Sequence, residues 1–252
     1  MLAIELDGLQ ILGAPYFGGA RGLFVKRDGL KGWDDLPSGR RDAVALPQAH
    51  GEFDLPVFRG PRLVTVEGYI LASSAYDLGE LRSQLLGVGA DGQAVRVRVD
   101  HQEQSLSASG RVISASVVDA ANRGQRVRAS FAIDLVCADP RKYGAANTVE
   151  GKTVQASHLG NFPAAPLIEV TGPVTAPYTI SGPSGRSITV SQSLTSGQTH
   201  RVNLATGEIS RNGIRQFGAL TVYQPWTVPA RRMVSMTIST GVMKVTTQDT
   251  YM

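Results

Sequence analysis

Along the first half of the chain, apolar and polar residues alternate with a period of two, the spacing that buries one face of a β-strand and wets the other. Val95, Val97 and Val99 interleave with Arg96 and Arg98. Val127, Ala129, Phe131, Ile133 and Leu135 hold one parity, with Arg126, Arg128, Ser130 and Asp134 on the other. Leu63 to Leu71 and Arg111 to Val118 are β-rich too, the first preceded by Gly60-Pro61 and the second followed by the turn residues Asn122 and Gly124. One stretch changes period. Leu78, Leu81, Leu85 and Leu86 recur at helical spacing after Ser74-Ala75-Tyr76-Asp77, so a helix is predicted over about 75 to 87, with Ser74 and Asp77 as a capping box and Gly87 and Gly89 as its stop.

Two other regions stand apart. Lys31 to Gly60 is long and polar, with Pro37, Pro47, Pro56 and the charged run Arg40, Arg41, Asp42. A loop of that length is expected to be functional or partly disordered, and in an assembling protein to reach a neighbour. After Asp139-Pro140-Arg141-Lys142-Tyr143 the helical periodicity ends, and Ser, Thr, Gly and Pro separate short β-rich runs: 166–171, 177–180, 187–190, 200–204, 208–210, 220–223, 234–238 and 242–247. About eight strands without a helix predict a β-sandwich. The reading is therefore a mainly β chain of two domains, 1–145 and 146–252, the first with a sheet and one helix.

Composition fits a folded chain: 42% of residues are hydrophobic and only 18% charged. The formal charge of +4 is spread out rather than massed in one tract, which does not indicate nucleic-acid binding. The lone Cys137 lies in an apolar run and is read as a small buried hydrophobe. The opening residues, Met-Leu-Ala-Ile-Glu-Leu-Asp, place carboxylates where a secretory signal needs a basic end, and no apolar run approaches a membrane span. Synthesis in the cytoplasm, followed by a soluble or assembled life, is the expectation.

Leu159-Gly160-Asn161-Phe162-Pro163-Ala164-Ala165-Pro166-Leu167-Ile168-Glu169-Val170-Thr171-Gly172 resembles the opening of the second domain in siphophage distal tail proteins. Gly185, Ile188, Leu194, Gly197, Val202, Gly207, Ile209, Asn212 and Gly213 echo that family's further course, with Asn203 where many relatives carry Asp. Upstream, His50-Gly51 after a polar arm, the basic Arg62 before Leu63-Val64-Thr65-Val66-Glu67-Gly68, and Asp139-Pro140 followed by Tyr143 match family marks in the same order. The resemblance implies an N-terminal β-barrel-like domain of which six copies form a ring, their strands completing a closed barrel. It further implies a galectin-like C-terminal sandwich. The implied role is structural and non-enzymatic: a socket in the virion between tail-tube protein and tail-tip hub, a platform for receptor-binding or other baseplate proteins, and a channel that phage DNA only transits. No cofactor and no membrane are implied.

Enzyme readings find little support. Gly87-Val88-Gly89-Ala90-Asp91-Gly92 satisfies G-x-G-x-x-G, yet it follows a predicted helix and precedes a strand, the reverse of a nucleotide cradle, so it reads as a turn. His50, His101, His158 and His200 lack metal-ligand spacing, and His50 reads as a loop residue fixing the arm through hydrogen bonds. Ser184 in Gly-Pro-Ser-Gly has no nucleophile elbow. The carboxylate pairs Asp34-Asp35 and Asp77 with Glu80 fall in the arm and at the helix start. Metal and catalytic sites are therefore expected to be absent.

The arginine rows invite a phosphate-tracking reading, but aromatic stacking partners are missing from those strands. Arg96, Arg98, Arg126 and Arg128, with Arg40, Arg41 and Asp42, are instead expected to contact neighbouring subunits or the next ring. Tyr223 and Trp226 form the one aromatic cluster of the second half, read either as a core anchor or as a sugar-stacking site. The competing function is accordingly a carbohydrate-binding, lectin-like module of a virion or cell-surface protein, with a virion glycoside hydrolase behind it.

Overall fold

The computed structural model describes residues 2–13, 21–119 and 127–252. The chain divides into two compact units, Met1–Lys142 (with Met252) and Tyr143–Tyr251.

The first unit is built from β1 (Ala3–Leu6), β2 (Leu9–Gly13), β3 (Gly22–Lys31), β4 (Gly39–Arg40), β5 (Phe58–Arg59), β6 (Arg62–Ala72), α1 (Ala75–Gly87), β7 (Val95–His101), β8 (Gln104–Asp119) and β9 (Val127–Cys137). Its main sheet runs β8-β7-β1-β2-β3-β6-β9, and β8 also pairs with β9, so the sheet closes into a barrel. Alternate residues fill it: Ile4, Leu6, Ile11, Val66, Ile70, Val97, Ile133 and Leu135 are all sealed from solvent. Cys137 is buried there as a small apolar residue, and burial pushes its thiol pKa up.

The barrel-like first domain is as expected, and its closure is made within one chain. The reason lies in β8. Residues 104–110 pair with β7, residues 111–119 pair with β9, and the register slips between Val112 and Ser114. At the crossover, Gly110 leaves room for Cys137 Sγ, which would lie 3.1 Å from a Cβ placed there. A bulge and a glycine let one long strand turn the corner and serve two partners.

Helix α1 starts where its cap predicts. Asp77 N donates to Ser74 Oγ at 3.1 Å, satisfying one of the first-turn amides. The reciprocal half of the capping box is displaced: Asp77 Oδ2 accepts from Ser73 N and Ser73 Oγ, each at 2.8 Å, and Arg21 Nε holds Oδ1 at 2.6 Å. These donors lower the Asp77 pKa, the Ser73 backbone amide most.

The second unit comprises β10 (Lys142–Gly151), β11 (Thr153–Ala156), β12 (Leu167–Thr171), β13 (Tyr178–Ser181), β14 (Ser187–Val190), β15 (Thr199–Asn203), β16 (Glu208–Arg211), β17 (Ile214–Arg215), β18 (Leu220–Tyr223), β19 (Val234–Ile238) and β20 (Met243–Tyr251). One sheet runs β17-β16-β15-β12-β20-β10 and the other β11-β19-β13-β14-β18. Their inner faces share a core of Ile168, Val170, Ile180, Ile188, Val202, Met236 and Val245. The Pro163 and Pro166 entry behaves as its chemistry requires. The β12 ladder begins at Leu167, after the second proline, while Ala164 between the prolines makes only an isolated bridge with Val228, its N donating to Val228 O at 3.0 Å. Among the described residues no helix is long and apolar enough to cross a membrane.

Candidate assembly surfaces

The arm from Lys31 to Gly60 is an organised projection rather than a structureless loop. Its base is closed by β4 and β5, with Gly39 opposite Arg59 and Arg40 opposite Phe58, and by Gly60 N donating to Ser38 O at 2.8 Å. Further out, Phe53 N donates to Val44 O at 2.9 Å, Leu46 N to Gly51 O at 3.1 Å, and Arg41 forms an ion pair with Glu52. His50 is exposed, and backbone groups of its neighbours close the turn instead. Leu36, Val44, Phe53, Val57 and Phe58 all stay exposed along this arm. That concentration of solvent-facing apolar side chains is what a partner surface would cover.

A buried cationic clamp roots the arm in the barrel. Arg62, only 1% exposed, donates Nη1 to the carbonyls of Gly32, Trp33 and Asp35 at 2.8, 2.8 and 2.7 Å, and Nε to Pro140 O at 2.9 Å. Its Nη2 is buried without a partner among the described residues. Lys142 Nζ donates to the same Trp33 carbonyl at 2.7 Å, reaches Asp34 at 3.4 Å, and lies 5.3 Å from the Trp33 ring centroid. Burial lowers the pKa of both cations, and Arg62 adds to the effect on Lys142. Two basic side chains thus hold a turn by its carbonyl oxygens, a task for which the forked guanidinium is suited. Arg62 and Pro140 were prominent in the sequence as family marks, but Trp33 and Lys142 were not. Their only signal was a tryptophan one residue after a glycine and a lysine one residue before Tyr143.

The β8–β9 pair carries the second exposed feature. Ile113 at the bulge and Val118 both face solvent, as does Leu63 on the neighbouring β6. The sequence-predicted arginines distribute around these features without forming one row. Arg40, Asp42 and Arg96 are exposed. Arg98 is engaged internally, donating Nε to Asp100 at 3.1 Å and to Ser105 Oγ at 2.9 Å. Arg128 lies over the Tyr69 ring, 3.7 Å from its centroid, a cation–π contact. Arg126 lies outside the described residues, as do Asn122 and Gly124.

Other candidate chemistry resolves into packing. Trp226 is 2% exposed, and a Cβ on Gly182 would sit 2.6 Å from its ring. An enclosed indole has no face to offer a sugar, so of the two readings of Trp226 its burial fits the core anchor. Tyr223 spends its hydroxyl on Leu204 O at 3.1 Å. The Gly87–Gly92 segment follows α1 as two tight turns, with Ala90 N donating to Gly87 O and Gly92 N to Gly89 O. Among the described residues no three of His, Cys, Asp and Glu converge as a metal site would need.

His158 and His200 sit inside the sandwich. His158 Nδ1 accepts from Gly160 N at 3.1 Å, while its Nε2 lies 3.1 Å from Val228 O, which defines the Nε2–H tautomer. His200 Nδ1 meets Tyr178 Oη at 2.8 Å, and its Nε2 is buried without a partner. Burial lowers the His200 pKa, helped by the Arg211 charge, and burial raises that of Tyr178.

A small closed barrel and a two-sheet sandwich, with exposed apolar side chains along the arm, define a mainly β protein of two units. No protein-family profile matches the sequence, and no curated protein matches it. Among solved structures, the chain shares its fold with the Dit (gp 19.1) protein of phage SPP1, described as a paradigm of the hub adsorption apparatus in phages infecting Gram-positive bacteria. The TM-score is 0.75 at 12% identity, covering 100% of both chains. A chain of the phage p2 baseplate in its activated conformation with Sr is similar at TM-score 0.51 and 7% identity, covering 98% of each chain. At these identities the likeness is one of fold, shared along the whole chain with the SPP1 Dit protein.

Proposed function

We propose that this chain is a structural, non-enzymatic component of a long non-contractile phage tail, a distal tail protein. In this reading residues 1–145 form the ring-building domain, six copies make a collar, and residues 146–252 project as a galectin-like sandwich. The collar joins the tail tube to the tip hub, lets DNA pass, and anchors receptor-binding or other baseplate proteins. The full-length correspondence of fold with SPP1 Dit carries the proposal. The apolar arm and the exposed apolar residues Ile113 and Val118 of β8 support it, as surfaces that a neighbouring copy would bury. Among the described residues, Arg40, Asp42 and Arg96 are exposed and open to contacts between copies, while Arg41, Arg98 and Arg128 are engaged within the chain.

The test is imaging of the purified chain, alone and with tube and hub proteins. Class averages should show a six-fold annulus, at the latest once both partners are present. A chain that stays monomeric in that mixture would overturn the proposal.

A further inference from the structure

The two units differ in charge. Tyr143–Tyr251 holds eight Lys and Arg against four Asp and Glu, while Met1–Lys142 holds seventeen of each, so the net positive charge belongs to the sandwich. Two of its four carboxylates are already engaged there: Glu169 lies between Arg201 and Lys244, and Asp249 accepts from Leu159 N at 2.6 Å.

One side of the sandwich combines that charge with an open edge. β17 ends one sheet and β18 ends the other, and residues 216–219 link them, so both edge strands lie on the same side. Along this side Ile214 is 71% exposed and Phe217 is 81% exposed. The Arg215 guanidinium stands 5.2 Å from the Phe217 ring centroid, and Arg211 lies opposite Ile214. Among the described residues neither arginine has a carboxylate within ion-pair distance. The edge strand β18, Leu-Thr-Val-Tyr, carries no charge and no proline, the devices that normally stop an edge from pairing.

We infer that this edge is a docking site for an extended, acidic segment of a partner polypeptide. The segment adds as a strand along β18, seats an apolar residue against Phe217 and Ile214, and places carboxylates on Arg211 and Arg215. Strand addition supplies affinity through backbone hydrogen bonds and specificity through alternate side chains. A free polyanion would use the arginines but has no need of an open backbone edge or an exposed phenylalanine. The inference deepens the proposed anchoring role and rests on it for its biological setting, though the binding itself does not depend on ring formation.

The probe is a fluorescent ten-residue peptide alternating Asp with Val and Ile, compared with its Lys counterpart and with polyphosphate, titrated against the full chain at low and high salt. Selective binding of the acidic peptide is expected. Phe217→Ser should weaken it about tenfold, as loss of an interface anchor does, and Arg211→Glu with Arg215→Glu should remove it. Equal binding of the Lys peptide, or indifference to Phe217→Ser, overturns the inference. Polyphosphate binding that depends on the arginines alone reassigns the edge to polyanions. Imaging the unsubstituted chain with tube and hub proteins separates the two claims: an annulus without peptide binding sinks only this site, and peptide binding without an annulus sinks only the collar.

Discussion

Arg62 Nη1 and the Trp33 carbonyl oxygen meet at 2.8 Å inside the barrel unit, and that contact ties the root of the arm to the first residue of β6. The same guanidinium serves Gly32, Asp35 and Pro140, so one side chain fixes two segments far apart in sequence. A clamp of this kind makes the arm part of the barrel's stability rather than an appendage.

Replacing Arg62 should therefore be costly. Arg62→Met removes the guanidinium from four carbonyls, of which Trp33 O keeps Lys142 Nζ, and should destabilise the barrel by about 3 kcal/mol or more, because several charge-assisted hydrogen bonds are lost together. Arg62→Lys should recover only part, since an ammonium is a point donor without the fork. Urea unfolding followed by tryptophan emission reads both variants. A Met variant within about 1 kcal/mol of the parent would show that the clamp is ornamental.

Gly68, the glycine that closes the Leu63-to-Gly68 run, has a steric role. A Cβ there would stand 2.0 Å from Phe24 O and 2.7 Å from the Phe131 ring, in the middle of three paired strands. Gly68→Ala should cost about 1–3 kcal/mol by overpacking. An alanine variant with unchanged unfolding midpoint would contradict so close an approach of β3 to β6.

The Tyr178–His200 pair bridges β13 in one sheet and β15 in the other. The folded pKa of His200 is depressed, so the unfolded chain takes up its proton first as pH falls. The contribution of this group is fully present above the unfolded value of about 6.5 and declines as pH drops toward the folded value, by at most about 1.4 kcal/mol per pH unit. His200→Gln should flatten the loss of sandwich stability as pH falls below about 6.5. An equal acid slope in that variant would assign the sensitivity elsewhere.

Ser74→Ala should lower stability by about 1 kcal/mol through loss of the cap on Asp77 N, and Ser74→Gly by only a few tenths. Circular dichroism during urea unfolding of the two variants discriminates capping from a general effect of position 74. Equal losses would point away from the cap.

Elements whose signal is local were legible in the sequence. The alternation of β7 and β9 follows from the pleat, the span of α1 from leucine spacing and Ser74, and the start of β12 from the two prolines, because each depends on residues within a few positions. The opening strands β1 to β3 were not assigned, since runs as short as Ile4-Glu5-Leu6 hold too few positions to fix a period. The arm was legible as an exception and not as a ladder. Its pairing depends on Arg41 meeting Glu52 and on two-residue strands that carry no pattern.

What the sequence determined by itself is a mainly β chain with one capped helix and a sandwich in its second half, because strand and helix periods are written residue by residue. Tertiary structure alone decided that β8 closes the barrel within one chain, that Arg62 and Lys142 share the Trp33 carbonyl, that His200 meets Tyr178 across two sheets, and that Trp226 is enclosed. Those outcomes join residues many positions apart. Which of many similar strands pair, and which polar groups must then satisfy each other once buried, is settled only by packing the whole unit.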